Sequence, residues 1–206
     1  MDHLSPIVFE TQRLEARELS PADLERVKLL VCRAENSRYM PWSPMSGDEA
    51  ASFLESCLAA QLTEPRQRYV LALFIRETGE FAGAVSLTLD GERSSASLGY
   101  IIAMEHWGSG YGLEAVRGAI RFALLGLDLH RIWAECDDKN APSVRLLERS
   151  GMRLEGHFIK SKRMRIDGRE SWRSIFHYAM LQKEYLMGLP DGFHSAVLPD
   201  MRDKAL

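Results

Sequence analysis

The chain has 206 residues, 46% of them hydrophobic, with a formal net charge of −3. That suits one well-buried core better than two, and the negative balance argues against general affinity for nucleic acid or membrane surfaces. The start Met-Asp-His-Leu-Ser-Pro lacks a basic and apolar signal segment, and the longest apolar run, around Phe122 to Leu129, is interrupted by Asp128, so neither secretion nor a bilayer span is expected.

In chain order, Glu10 to Glu18 alternates as a first strand. Ser20-Pro21-Ala22-Asp23 reads as a helix start with proline at the first helical position. A loop follows at Tyr39-Met40-Pro41-Trp42-Ser43-Pro44, and Ser46-Gly47-Asp48-Glu49 opens a second helix to about Gln61. Tyr69 to Ile75 and Phe81 to Leu89 flank Glu77-Thr78-Gly79-Glu80, a four-residue hairpin connection. Ser94 to Ala103, apolar and rich in β-formers, is the next strand, and a helix with its apolar residues on helical spacing runs from Leu113 to near Gly126. Arg131 to Cys136 is a strand, and Pro142 to Ser150 a short helix closed by Gly151. Arg153 to Ile166 and Arg173 to Leu181 make a last hairpin around Asp167-Gly168. Residues 1–186 read as one domain and 187–206, mixing Pro, Gly and charges, as a tail that is loose or packs on a neighbour.

Between the Ser94–Ala103 strand and the following helix stands Trp107-Gly108-Ser109-Gly110-Tyr111-Gly112-Leu113. Glycines let backbone approach a ligand with successive N–H groups turned towards it, and a helix start adds unpaired donors and partial positive charge. Such a site wants a phosphate or pyrophosphate. Three readings are open. One is a tight connection in an α/β domain. Another is a dinucleotide-binding turn, since Gly108 and Gly110 have the right first spacing and Glu135 ends the next strand, although Leu113 stands where the third glycine should fall. The third holds a pyrophosphate at the helix start with an extended arm along the preceding strand. Cys32, Cys57 and Cys136, an odd set without metal spacing, read as reduced thiols of a cytoplasmic protein, with no metal site expected.

The order of elements, with this loop, resembles the GNAT N-acyltransferase superfamily, and in it the RimJ/RimL-like branch of ribosomal-protein N-terminal acetyltransferases. The marks are Glu10-Thr-Gln-Arg-Leu14 with Arg17, Leu98-Gly-Tyr100, Trp107 to Gly112 followed by Glu114-Ala115, Leu129-His-Arg-Ile132, Asn140-Ala-Pro-Ser143, Leu147-Glu148-Arg-Ser-Gly151 and Leu154-Glu155-Gly156. The resemblance implies a mixed α/β fold, with a central, mostly antiparallel twisted sheet of about seven strands flanked by about four helices. It also implies acetyl-CoA as cofactor. Tyr100, Ile101 and Ile102 would supply backbone contacts to the pantetheine arm, Gly108, Ser109, Gly110, Tyr111, Gly112 and Leu113 would hold the pyrophosphate, and Asn140 and Ser143 would contact the thiol end. Plain N-terminal helix capping is the alternative for Asn140.

The implied chemistry is direct attack of a neutral amine on a thioester, which needs deprotonation of the amine, polarisation of the carbonyl and protonation of the thiolate. A peptide α-amine is about 14% neutral at pH 7 and a lysine about 0.04%, so an N-terminus needs little help from a base. Glu135 stands five residues before Asn140, where the related ribosomal alanine acetyltransferase carries a glutamate, and is the expected base. Alternation puts it with Trp133 on the face opposite Ile132, Ala134 and Cys136. A salt-bridge partner is the alternative. Ser143 is the expected thiolate partner, because Leu147 occupies the place where many members carry a tyrosine. Tyr39 and Trp42 would line the acceptor's path. The acceptor expected is a protein N-terminal α-amine, with a small-molecule amine (antibiotic or polyamine) or a non-catalytic CoA-binding module as alternatives. No DNA or membrane partner is expected, and a homodimer is left open. The basic run Lys160 to Arg173 reads as a solvated outer face.

Overall fold

The computed structural model describes residues 6–166 and 169–188. The expected first strand is two, β1 (Ile7–Glu10) and β2 (Leu14–Glu18), paired antiparallel. Thr11 makes the turn: its N–H donates to the Leu14 carbonyl at 2.8 Å, and its hydroxyl accepts from the Leu14 N–H at 2.9 Å. A 3-10 turn at Pro21–Asp23 leads into α1 (Leu24–Val31), then α2 (Ala34–Ser37) and α3 (Gly47–Gln61). The start of α3 is fixed by a reciprocal cap, the Ser46 hydroxyl accepting from Glu49 N–H at 3.2 Å and the Glu49 carboxylate accepting from Ser46 N–H at 2.7 Å.

There follow β3 (Arg68–Ile75), β4 (Phe81–Leu89), β5 (Ser95–Ile102) and α4 (Tyr111–Arg121), the last continued by a π-helical turn over Phe122–Gly126. Then come β6 (Arg131–Asp137), α5 (Ala141–Arg149), β7 (Arg153–Ile166), β8 (Arg169–Leu181) and α6 (Gln182–Met187). The expected turn at Asp167-Gly168 and the tail from 189 onward lie outside the described residues. Strand β8 begins four residues earlier than the sequence suggests, and α2 and α6, each under two turns, are too short for a periodic signal.

The strands make one eight-stranded sheet, β1-β2-β3-β4-β5-β6-β8-β7, where about seven were expected. Every neighbouring pair is antiparallel except β5 and β6. That parallel pair matches Ser95, Ala96 and Ser97 to Arg131, Ile132 and Trp133 and goes no further, so the strands part before Tyr100 and Glu135 and leave a gap in the sheet.

The sheet is covered on both faces. Leu71, Leu73, Val85, Leu87, Leu98 and Ile132 pack with Ala115, Ala119 and Ile120 of α4 and Leu147 of α5, while Val70, Ala72 and Phe74 pack with Val27 of α1 and Leu54 of α3. Burial on both faces explains why β3 is an unbroken apolar run. No helix among the described residues is long and apolar enough to cross a membrane.

Candidate active site

The loop before α4 has two residues in the left-handed region, Gly108 at φ +76° and Gly110 at φ +83°, where a side chain costs about 1–2 kcal/mol. Gly110 is the N-cap of the eleven-residue α4, whose first N–H groups lack helical partners. Loop and helix start are clamped from the turn between β1 and β2. Arg13 donates through Nη1 to the Ser109 carbonyl at 3.1 Å and stacks over the Tyr111 ring at 4.5 Å. Glu114, in the first turn of α4, accepts from Arg13 Nε, Arg13 N–H and the Thr11 hydroxyl, each at 2.6 Å. Burial pushes the Glu114 carboxyl upward, but these bonds outweigh it and hold the group below its ordinary value.

A cavity of about 1000 Å3 opens between this loop, the end of β5, the start of α5 and the segment joining α1 to α3. It brings together Tyr39, Trp42, Tyr100, Ile101, Ile102, Gly108, Gly110, Gly112, Leu113, Asn140 and Ser143, whose first and last groups are 98 to 104 positions apart. Ser109 and Tyr111 face Arg13 instead. The Ile102 carbonyl accepts from the Trp107 indole at 2.8 Å, leaving that oxygen one lone pair for a ligand. Gly83 lets β4 run close to this stretch: at φ +149°, an added Cβ would lie 2.3 Å from the Ile101 carbonyl oxygen.

At the inner end of the cavity, Asn140 caps α5, its side-chain oxygen accepting from Ser143 N–H at 3.3 Å. The Ser143 side chain lies close enough to the Tyr100 hydroxyl to act on it. Tyr100's hydroxyl is shielded from water and lacks a well-formed hydrogen bond. Burial raises its pKa far above the ordinary phenol value, Ser143 opposing weakly. Glu135 is on the face the alternation assigns to it, two residues beyond the last β5–β6 pair. It is exposed, ion-paired with Lys162 Nζ and 3.8 Å from His177 Nδ1, and stands outside the cavity lining.

Several site residues escape a reading of the sequence. Arg13 and Glu114 are visible as motif letters, but nothing local shows that they meet across 101 positions. Asn36, Arg38, Arg145 and Arg149 also line the cavity. The spacing of the two arginines on α5, four apart, puts them on one helix face and was the available signal.

A glycine loop ending in a helix N-terminus, a parallel strand pair that splits beside it and a long cavity through the gap define an acyltransferase that holds an extended, phosphate-bearing acyl carrier. The residues present fit coenzyme A: at the left-handed Gly108 and Gly110 no side chain screens the backbone, and the lining cations Arg145 and Arg149 have no ion-pair partner among the described residues. The chain belongs to the acetyltransferase (GNAT) domain family, whose model matches residues 13–153. It is 27% identical over 180 residues to the uncharacterized N-acetyltransferase p20 of Bacillus licheniformis, spanning 85% of this chain and 96% of that one. It is also 27% identical over 186 residues to the ribosomal protein uS5 alanine N-acetyltransferase of Escherichia coli, spanning 86% and 92%. The solved spermidine N-acetyltransferase of Vibrio cholerae, in complex with CoA and spermine, shares the fold with a TM-score of 0.73 at 24% identity, over 84% of this chain and 98% of that one. The protein is an acetyl-CoA-dependent N-acyltransferase of this family.

Proposed function

We propose that this enzyme acetylates the α-amine at a protein or peptide N-terminus. The observation that carries the reading is the charge of the cavity. Its lining has one carboxylate, Glu35, against Arg38, Arg145 and Arg149. With Arg145 and Arg149 turned to the cofactor's phosphates, the acceptor end keeps Glu35 and Arg38 and is close to neutral. A polyamine brings several ammonium groups that each need a counter-charge, whereas a peptide brings one and loses it on reaction.

Bound acetyl-CoA supplies the acetyl group as an activated thioester. The chain's own residues do the rest. Loop amides from Gly108 to Leu113 and the α4 N-terminus face the pyrophosphate, and Tyr100 to Ile102 offer backbone where β6 has turned away. The Ser143 hydroxyl, held by the capped start of α5, donates to the departing sulfur. Tyr100, which stays protonated at neutral pH, stands behind Ser143 to replace that proton. Glu135, at the rim of the gap and ion-paired with Lys162, takes the ammonium proton through water.

The test is release of free CoA thiol from acetyl-CoA with short peptides of varied first residue, spermidine, and an Nα-blocked lysine peptide. Peptides with a free α-amine are expected to lead by at least tenfold in kcat/KM. Preference for spermidine would overturn the acceptor reading, and acetyl-CoA binding without turnover on any amine would overturn catalysis.

A further inference from the structure

The segment between α1 and α3 keeps two buried polar atoms without partners, Asn36 Oδ1 and Trp42 Nε1, and both residues line the cavity. Asn36 is only 7% exposed. Its amide orientation is decided by chemistry: the nitrogen donates to the Leu29 carbonyl at 3.1 Å, and a carbonyl there demands a donor, so the oxygen is the free end. The Trp42 indole can act only as a donor. The site therefore holds one unmet acceptor and one unmet donor, shielded from the water that would otherwise satisfy them. Buried groups of this kind are rare and costly, and in a cavity they mark what a ligand must bring.

We infer that Asn36 and Trp42 read the acceptor's first residue, Asn36 Oδ1 accepting from the α-amine N–H and the Trp42 indole N–H donating to the first peptide carbonyl. This rests on the N-terminal acceptor reading and deepens it. An α-amine and the carbonyl of its own residue are two carbons apart, and together they supply the donor and acceptor that the pocket lacks. A polyamine supplies donors alone and leaves the indole unpaired, and a site built for a hydrogen bond rejects molecules lacking it far more strongly than an apolar wall does. By taking one N–H, Asn36 also turns the amine lone pair towards the inner end of the cavity, where Ser143 stands, and so acts as a positioning residue. The frame around the pair is stiff: Pro41 and Pro44 bracket Trp42, and the Tyr39 ring is flanked by the Arg38 and Arg173 guanidinium groups, 5.3 and 6.0 Å from its centroid.

The experiment compares a substrate peptide with a free α-amine and its analogue in which the first peptide bond is an (E)-alkene, which keeps shape and α-amine but deletes the carbonyl. Wild-type enzyme is expected to favour the peptide at least tenfold in kcat/KM. Trp42→Phe, which keeps a ring but deletes the donor, is expected to lose ten- to hundredfold on the peptide and less than twofold on the alkene. Asn36→Leu is expected to lower kcat on both substrates with acetyl-CoA affinity unchanged. Equal rates for peptide and alkene with wild-type enzyme, or equal loss on both in Trp42→Phe, would overturn the inference while leaving N-terminal acetylation intact. Turnover of spermidine but of neither peptide would instead overturn the acceptor reading itself. The wild-type comparison holds even where a variant fails to fold.

Discussion

Glu114→Ala separates the clamp on the glycine loop from the loop itself. The substitution removes an acceptor of three bonds at 2.6 Å from Thr11 and Arg13 and frees the guanidinium that holds the Ser109 carbonyl. Glu114 is 16% exposed and Arg13 45%, so the released donors regain some water, and the lower end of about 1 kcal/mol for each bond is appropriate. A loss of about 2–3 kcal/mol follows, equivalent to about 5–10 °C in Tm for a chain of 206 residues. The acetyl-CoA Kd, read by calorimetry, is expected to rise about tenfold, because the loop must then be ordered by the ligand. Glu114→Gln keeps an acceptor without its charge and is expected to lose about half as much. The pH dependence has a definite sign. Because the folded carboxyl lies below its ordinary 4.5, its stabilisation is complete above that value and disappears as pH falls through the folded pKa. The Tm gap between wild type and Glu114→Gln is therefore expected at pH 7 and to close in acid. Unchanged acetyl-CoA affinity in Glu114→Ala, with the Tm drop present, would refute the view that this clamp shapes the cofactor site.

Gly110→Trp, at φ +83° and with an added Cβ 3.3 Å from Arg13 Nη2, is expected to raise the acetyl-CoA Kd at least a hundredfold with far-ultraviolet circular dichroism retained; unaltered affinity would remove the loop from the binding site. Glu135→Gln is expected to cut turnover about tenfold at pH 6.5, where an α-amine is about 5% neutral, and to approach wild type by pH 8.5. A loss equal at every pH would mean that the Lys162 pair is structural. Among the cysteines, burial and then Asp137 push the Cys136 thiol up to about 12, and burial raises Cys57, so iodoacetamide at pH 8 is expected to label one thiol per folded chain, Cys32. Mass spectrometry finding label on Cys136 would show that β6 opens in solution.

How far the sequence discloses this site depends on the reach of each signal. Strand, glycine loop and helix start are consecutive, so periodicity and backbone chemistry locate them together: both ends of β5 and the start of α4 fall within two residues of where they are expected, while the expected last turn of that helix is π-helical. The Asn140 cap is equally local. The division of Glu10 to Glu18 into two strands is hidden because Thr11 replaces ladder bonds with its own hydroxyl, without a glycine or proline to mark the turn. Glu135 shows the limit most clearly. Alternation predicts the face on which it stands, but not that a hairpin formed later in the chain brings Lys162 to the same carboxylate. The Arg13–Glu114 clamp and the unmet pair at Asn36 and Trp42 belong to the same class: each depends on what a third element does or fails to do for an isolated polar side chain. The glycine loop and helix start are consecutive and legible, whereas the cavity as a whole is assembled by packing α2 and the segment before α3 against the end of β5 and the start of α5, beside a gap in the sheet. One relative named above acts on a ribosomal protein and another on spermidine, and in this chain such a choice would fall to the few side chains whose partners sequence order does not reveal.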